Sequence, residues 1–445
     1  MQTRLPGRAH APTAETAIER RSPRASAERA LDWLNFFLAA LQAGFGPFVA
    51  IFLTENRWTQ ADIGIVLSIG TIAGLLSQVP GGAFVDRVQR KELALSWAIV
   101  CLALSALMFA TWPVLVIAMA ALVLHSLASS VQVPAVAAIS IGLVARHETS
   151  ERLGRNARWA SLGYGSAAAA MGFLGYLLTN RAVFVLSAVL GLPALLALKH
   201  VRSTGAAIIS SGHEAASAEP TRAQEKASTA GRAITIQRSP LRARMPLREL
   251  LLDKRMLVFA TCAMLYQLAN GAMLQLVGAG MTIRYGVDAT LIIAAALLVP
   301  QVVVAILSPS YGRAAERYGR RPLLIAGLAA LPVRAVLFAL LPSAYLIVPL
   351  QVLDGISSTA FAVLAPVIVA DLTDGRGYFN LGMGLIGLAG GIGGAISSSL
   401  AGATADAISI SIAFLPLALA GAAAMAMAWL FMPESHPLWA NVSAS

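Results

Sequence analysis

Charge is scarce in this 445-residue sequence: Asp, Glu, Lys and Arg make up 12% of it, against about 25% in soluble domains. That shortage excludes a surface covered by water. Cysteine is scarcer still. Cys101 and Cys262 lie in opposite halves of the chain, each inside an apolar run, so neither a disulfide framework nor a paired metal site is indicated. No glycine-rich loop ends in Lys-Ser or Lys-Thr, which removes the phosphate cradle of an ATP-driven pump. Nor is there a Ser and His pair, or paired His and Asp ligands, from which a membrane-embedded enzyme could be built. The chain is therefore expected to be no enzyme and to need no metal or cofactor.

What is present is apolar length. Hydrophobic residues make up 57% of the chain and the mean hydropathy is +0.72. The net charge of +11 does not point to nucleic acid, because the basic residues sit between apolar runs rather than on a folded polar face with aromatic neighbours. The solvent for those runs is the lipid bilayer. Runs of about 20 residues cross a hydrocarbon core of about 30 Å, and only helices or closed barrels satisfy the backbone there. Barrel strands alternate every second residue, and these runs do not.

The spans expected are 31–54, 60–85, 92–111, 113–144, 157–179 and 182–200, then 256–283, 289–311, 322–341, 344–372, 380–403 and 408–432. They are called spans 1 to 12 below. Residues 1–30, rich in Arg, Ala and Ser, read as a disordered cytoplasmic tail; Glu15, Glu19 and Glu28 argue against a transit peptide. Residues 201–254 form a solvated linker between bundles at 31–200 and 255–433, and 434–445 form a second tail. About 29 of the 33 Lys and Arg fall on one side of this arrangement, so both termini and the linker are expected in the cytoplasm.

The two halves repeat. Gly82-Ala-Phe-Val-Asp86-Arg87-Val-Gln-Arg90-Lys91 follows span 2, and Gly312-Arg-Ala-Ala-Glu316-Arg317-Tyr-Gly-Arg320-Arg321 follows span 8. Both fit Gly, three residues, acid, Arg, two residues, Arg, then Lys or Arg. Span 4 carries Leu124-His125-Ser-Leu-Ala-Ser-Ser130 where span 10 carries Leu353-Asp354-Gly-Ile-Ser-Ser-Thr359. Duplication of a six-helix unit accounts for both echoes.

The duplicated loop resembles the signature of the major facilitator superfamily, with Gln89 in place of the usual second glycine in the first copy and Gly319 keeping it in the second. The resemblance covers all but the tail and linker. It implies an all-α membrane protein of 12 transmembrane helices in two pseudo-symmetric six-helix bundles. It also implies a solute site near the bilayer midplane and rocking between inward-open and outward-open states. Physically the loop suits a cytoplasmic latch. Glycine at 82 or 312 lets helices approach closely, Asp86 or Glu316 can sit at the N-terminus of a neighbouring helix, and the arginines can pair with acids. Asp371 is the natural partner for Arg317 or Arg320. The first half has no acid at the matching place, which leaves Glu148 or Glu151. Fixing topology is the plainer use of such basic loops.

Polar stripes run along four spans: Asn35 and Gln42 in span 1, His125, Ser129 and Gln132 in span 4, Gln267, Asn270 and Gln275 in span 7, and Asp354, Ser357 and Ser358 in span 10. Each set keeps to one helical face, and the resemblance independently places these four spans around the cavity. A mid-membrane carboxylate costs about 2.5–3.5 kcal/mol, so Asp354 is the first candidate for a proton site. His125 stands opposite it, and a free imidazole titrates near pH 6.5. The plainer alternatives are a packing histidine and a structural ion pair, with Arg334 of span 9 as the candidate partner of Asp354.

Spans 5 and 11 are dense in glycine, from Gly163 to Gly175 and from Gly384 to Gly394, as close packing and sliding require. Span 5 departs from the proline-containing motif typical of drug-proton antiporters, having Phe173 after Gly172, and span 4 has His125 where many antiporters carry arginine. The polar start Glu151-Arg-Leu-Gly-Arg-Asn156-Ala-Arg158-Trp fits a cytoplasmic gate. The expected protein is a monomeric, proton-coupled secondary transporter of a small solute in the bacterial inner membrane, with export favoured. A facilitated uniporter and an uptake permease are the alternatives.

Overall fold

The computed structural model describes residues 14–45, 47–111, 114–217, 252–285, 289–340, 344–374 and 376–435, and among them every regular element is a helix. Span 1 is two helices, Ala14–Gln42 and Pro47–Glu55, joined through a 3-10 turn at Ala43–Phe45. Spans 2 to 6 are Gln60–Arg87, Lys91–Thr111, Leu115–Gly142, Thr149–Leu177 and Asn180–Ser217. Span 7 is again two helices, Lys254–Asn270 and Met273–Tyr285. Spans 8 to 12 are Ala289–Tyr318, Arg320–Leu340, Ala344–Leu372, Phe379–Ala407 and Ile410–Phe431. Among the described residues, eleven of the twelve contain a stretch long and apolar enough to cross a bilayer. The twelfth, span 5, has 29 residues but opens on a charged stretch.

Local chemistry sets the ends. Thr59 caps span 2, accepting from the Asp62 N–H at 3.1 Å. Asp253 caps span 7 through the Arg255 N–H at 2.9 Å, and Ser409 caps span 12 through Ile412. Pro47 opens the second helix of span 1 at the helical position where its missing N–H costs nothing.

Four boundaries differ markedly from the sequence expectation, one of them the end of span 8, which lies at Tyr318 rather than 311 and so carries Gly312 to Arg317 of the second loop motif on the helix. Helix begins at Ala14 rather than at 31, because the Ala, Glu and Arg of that stretch are good helix formers whatever their hydropathy. Span 5 begins at Thr149 rather than 157. Span 6 runs on to Ser217 rather than ending at 200, taking the first part of the expected linker. The remainder of the linker, 218–251, and residues 1–13 and 436–445 of the tails lie outside the described residues.

Packing repeats between the halves. Span 1 packs on spans 5 and 6, span 2 on span 4, and span 3 on spans 4 and 6. In register, span 7 packs on spans 11 and 12, span 8 on span 10, and span 9 on spans 10 and 12. These are two pseudo-symmetric six-helix bundles. They meet where span 2 crosses span 11 and span 5 crosses span 8. Outward faces carry bare apolar side chains such as Leu76, Trp97, Leu196, Ile306 and Leu419, a surface that suits lipid and would be a liability in water.

Candidate functional site: the interbundle crossings and the polar stripes

At the end of the bundles that carries the duplicated loops, the two crossings follow one design. A methyl group on Gly82 would stand 2.1 Å from the Asn380 carbonyl oxygen, and one on Gly384 2.3 Å from that of Gln78. Across the repeat, Gly312 gives 2.3 Å to the Ser150 carbonyl and Gly154 2.4 Å to that of Ser308. Each crossing is thus made by a glycine on both helices, each glycine facing the carbonyl one turn before its partner's glycine. Backbone meets backbone there, closer than any residue with a Cβ permits.

The acid of each loop sits one turn further along. Asp86 caps the start of span 11: its Oδ1 accepts from the Asn380 N–H at 3.1 Å and from Asn380 Nδ2 at 2.6 Å, and its Oδ2 accepts from the Leu381 N–H at 2.8 Å. A carboxylate at a helix N-terminus also meets the positive end of the helix dipole. Glu316 reaches the start of span 5, accepting from Ser150 Oγ at 2.5 Å. Apolar side chains fill the space between the crossings: Ala137 and Ile141 of span 4, Leu153 of span 5, Val367 of span 10 and Phe379 of span 11.

The basic residues divide. Arg320, 3% exposed, lies 3.1 Å from Glu316 and 3.3 Å from Asp371, so Asp371 pairs with Arg320. Arg317 instead lies over the Tyr318 ring, 5.4 Å from its centroid, and Arg321 donates to the Trp429 carbonyl. Arg87 and Arg90 are exposed and Lys91 is half-buried. Glu151 pairs across the interface with Arg313 at 3.2 Å, whereas Glu148 accepts from the Ala145 N–H of its own turn. A second interbundle pair joins Arg146 to Asp374 at 2.9 Å. Both pairs are solvent-exposed and contribute little, about 0–1 kcal/mol each.

The stripes are brought together within each bundle. Gln42 Nε2 donates to Gln132 Oε1 at 2.5 Å, joining spans 1 and 4. His125 stacks on Phe45 at the break in span 1, with ring centroids 3.8 Å apart, and its Nδ1 and the Ser129 hydroxyl are buried without a partner. In the second bundle Arg334, 2% exposed, places Nη1 2.5 Å from Asp354 Oδ1, close enough to pair but out of line for a hydrogen bond. Arg334 also donates to Asn270 and to Gln351. Ser358 meets the Tyr266 hydroxyl at 3.3 Å, and Ser357 donates to the Asp354 carbonyl. Gln267 is half-buried and packs beside Gly390. Gln275 is exposed and accepts from Ser398. His125 and Asp354, expected opposite each other, each take their named partners from their own bundle.

Asn35 stands apart from the stripe it was assigned to. It donates to the Leu31 carbonyl and to Asn156 Oδ1 at 3.1 Å, inside a buried cluster where Arg152 and Arg155 share Asp32. Arg155 also pairs with Glu28 at 2.9 Å, and Asn156 donates to Ser140. The polar start of span 5 is thus sorted by helical period: Ser150, Glu151 and Gly154 face the other bundle, while Arg152, Arg155 and Asn156 face spans 1 and 4.

A family model described as MFS_1 like family matches residues 29–416. The chain belongs to that family, within the major facilitator superfamily. Two uncharacterized MFS-type transporters, from Mycobacterium tuberculosis strains CDC 1551 / Oshkosh and ATCC 25618 / H37Rv, are each 32% identical over 376 residues, covering 84% of this chain and 85% of each relative. Among solved structures, the superfamily transporter FucP in the outward conformation aligns with a TM-score of 0.63 at 15% identity, covering 92% of this chain and 99% of its own. The proton:xylose symporter XylE bound to 6-bromo-6-deoxy-D-glucose aligns at 0.71 and 13%, covering 94% and 97%. At those identities the structural likeness shows the fold. This MFS chain is a multi-pass membrane transporter.

Within that family frame, one residue that the sequence reading passed over ties the second loop down. Glu434, just after span 12, accepts from the backbone N–H groups of Arg320 and Arg321 at 2.9 and 3.1 Å and so caps span 9. Gly319 makes room for it: the glycine has φ of +91°, and a Cβ there would stand 2.6 Å from Glu434 Oε2. Gln89, in the matching place of the first loop, keeps a negative φ and so tolerates a side chain.

Proposed function

We propose that this protein is a proton-coupled secondary transporter of a small solute, working by alternating access with the loop-bearing end as its cytoplasmic gate. The observation that carries the reading is the paired glycine crossing, repeated across the two halves, with the loop acid of each reaching the start of the facing helix: Asp86 to the backbone of span 11 and Glu316 to the Ser150 hydroxyl of span 5. A contact of that kind, backbone on backbone with few side chains to unpack, can close tightly and part cleanly. From the distribution of Lys and Arg this end, with both termini, is expected on the cytoplasmic side, and the proposed membrane is the bacterial inner membrane. The stripe residues Gln42, His125, Ser129, Gln132, Gln267, Asn270, Gln275, Ser357 and Ser358 are the proposed solute contacts, and the protein is expected to work as a monomer.

Asp354 is the proposed coupling carboxylate. It lies in mid-span with 19% of its side chain exposed, beside the guanidinium of Arg334. A buried Arg is expensive unless its charge is balanced, so a proton arriving at Asp354 competes with Arg334 for the same oxygen. The alignment with a proton:xylose symporter is in keeping with this. Export, the commoner direction in the superfamily, is the expected one. The test uses vesicles with an entrapped pH dye and a panel of neutral sugars and polyols, amino acids, organic cations and organic anions. A solute that moves protons with the wild type and fails to with Asp354→Asn, while still exchanging across the membrane, supports the reading. Unchanged proton movement in Asp354→Asn would sink it.

A further inference from the structure

Span 7 is interrupted by a two-residue turn, Gly271 and Ala272, where the Arg334 guanidinium sits; Gly271 still donates to the Gln267 carbonyl at 2.7 Å, so the break is a weak point in the helix and not a separation of its halves. Its first helix ends at Asn270 and its second begins at Met273, and Arg334 touches both flanks. Its Nη2 donates to Asn270 Oδ1, and its Nε and Nη2 lie 3.2 and 3.0 Å from Met273 Sδ. Towards span 10, Nη1 lies 2.5 Å from Asp354 Oδ1 and 3.4 Å from Gln351 Oε1. One planar, rigid group therefore ties the carboxylate to both sides of a helix break. The Tyr266 hydroxyl, on span 7 beside Ser358, is the other titratable group facing this pair.

The helix beyond the break has room behind it. A cavity of about 250 Å³ is lined by Leu276, Gly280 and Met281 of that helix, Phe338 of span 9, Ile347 of span 10 and Phe414 of span 12. The space is half open to the surface past Ser409, Ile410 and Ser411 at the start of span 12, so a helix can move into it without displacing packed core. The first bundle echoes the arrangement: span 1 breaks at Ala43–Phe45, and His125, in the place of Asp354, stacks on Phe45.

We infer that Arg334 is a positioning residue that couples the charge on Asp354 to the bend of span 7. While Asp354 is ionised, both ends of the guanidinium are held and the break is pinned. Neutralising Asp354 frees one end, and Met273–Tyr285 leans into the cavity. Taking a proton as the trigger rests on the proposed role of Asp354; the mechanical link does not.

Spin labels at Ala279→Cys and Leu419→Cys, with Cys101 and Cys262 replaced by alanine, report the distance from the outer half of span 7 to span 12 in full-length protein in lipid vesicles. Both positions are exposed, and both belong to one bundle, so rocking of the bundles leaves the distance alone. Asp354→Asn is expected to shift the distance distribution, Arg334→Gln to give the same shift, and the double variant to add nothing further, as for residues acting through one link. Gly280→Leu, which fills the cavity, should suppress the shift. A distribution unmoved by Asp354→Asn, or a double variant whose shift is the sum of the two, overturns the inference. Should Arg334→Gln not fold, Arg334→Leu with Asp354→Leu removes both charges together, a change cores often accept; the same shift is expected, and its absence overturns the inference equally. A shift in Asp354→Asn without solute-driven proton movement in the wild type would leave the link standing and remove the proton as its trigger.

Discussion

Replacing Gly82 with alanine puts a methyl group 2.1 Å from the Asn380 carbonyl oxygen, and replacing Gly312 puts one 2.3 Å from that of Ser150. Real Cβ atoms essentially never come closer than 3.0 Å to such a neighbour, so the crossing helices must retreat by about 1 Å. The obstructing atoms are backbone and have no rotamer to escape into. Overpacking of this kind costs about 1–3 kcal/mol. That cost falls on the closed state alone, because parting the bundles removes the contact. The ratio of open to closed molecules should therefore rise by roughly 5- to 150-fold. A single cysteine at Val367, 1% exposed in the apolar plug between the crossings, reads this out: its alkylation by a maleimide follows the time spent open. Gly142→Ala and Gly394→Ala, which meet nothing within 4 Å, should leave the rate unchanged. An unaltered rate in folded Gly82→Ala and Gly312→Ala would refute the reasoning.

Asp86→Asn keeps the size of the cap but removes its charge, worth about 0.3–1 kcal/mol, and one of its two acceptor oxygens, worth about 0.5–1.5 kcal/mol more, because both now accept N–H groups of span 11; the same Val367→Cys assay should show a rise of roughly 4- to 70-fold. Glu434→Gln weakens the cap on span 9, a loss of about 1 kcal/mol, and should lower the melting temperature in detergent by a few degrees while Glu434→Asp lowers it less. At Asp253, burial pushes the carboxyl up, but Arg376 at 2.7 Å and the Arg255 N–H outweigh it and hold the group below its ordinary value. Its folded value thus lies below the unfolded one of about 3.9, so its stabilisation is complete above that pH and is lost as pH falls through the folded value. Melting curves of the wild type and Asp253→Asn should differ at neutral pH and draw together below about pH 4.

The bundles were legible because lipid imposes one long apolar run per helix, and the repeat was legible because the loops carry charge. The start of span 5 was not. Its Arg152 and Arg155 look like a solvated loop by hydropathy, yet the structure places them on Asp32 and Glu28 of span 1. The proposed gate was half legible: Gly82 and Asp86 stood out, but the Asn380 carbonyl facing Gly82 is backbone that any residue offers, and the side-chain amide that Asn380 donates to Asp86 is one among many polar groups at the helix ends. The usable signal was the glycine one turn on. Gly384 and Gly154 obey the same 230-residue offset as Gly312 and Gly82. Arg334 was visible as a buried charge in need of a partner; its contact with the break in span 7 depends on where two helices meet and leaves no mark in either.

The central claim is that the two bundles rock about a site between them, opening one end as the other closes. Spin labels at Arg146→Cys and Asp374→Cys report the loop-bearing end, where that pair is now 2.9 Å apart, and labels at Ile51→Cys and Ala279→Cys report the far end. Measured in vesicles for the wild type and for Gly82→Ala, the account predicts that the variant lengthens the first distance and shortens the second. A first distance that lengthens while the second stays fixed, or two that lengthen together, would contradict it.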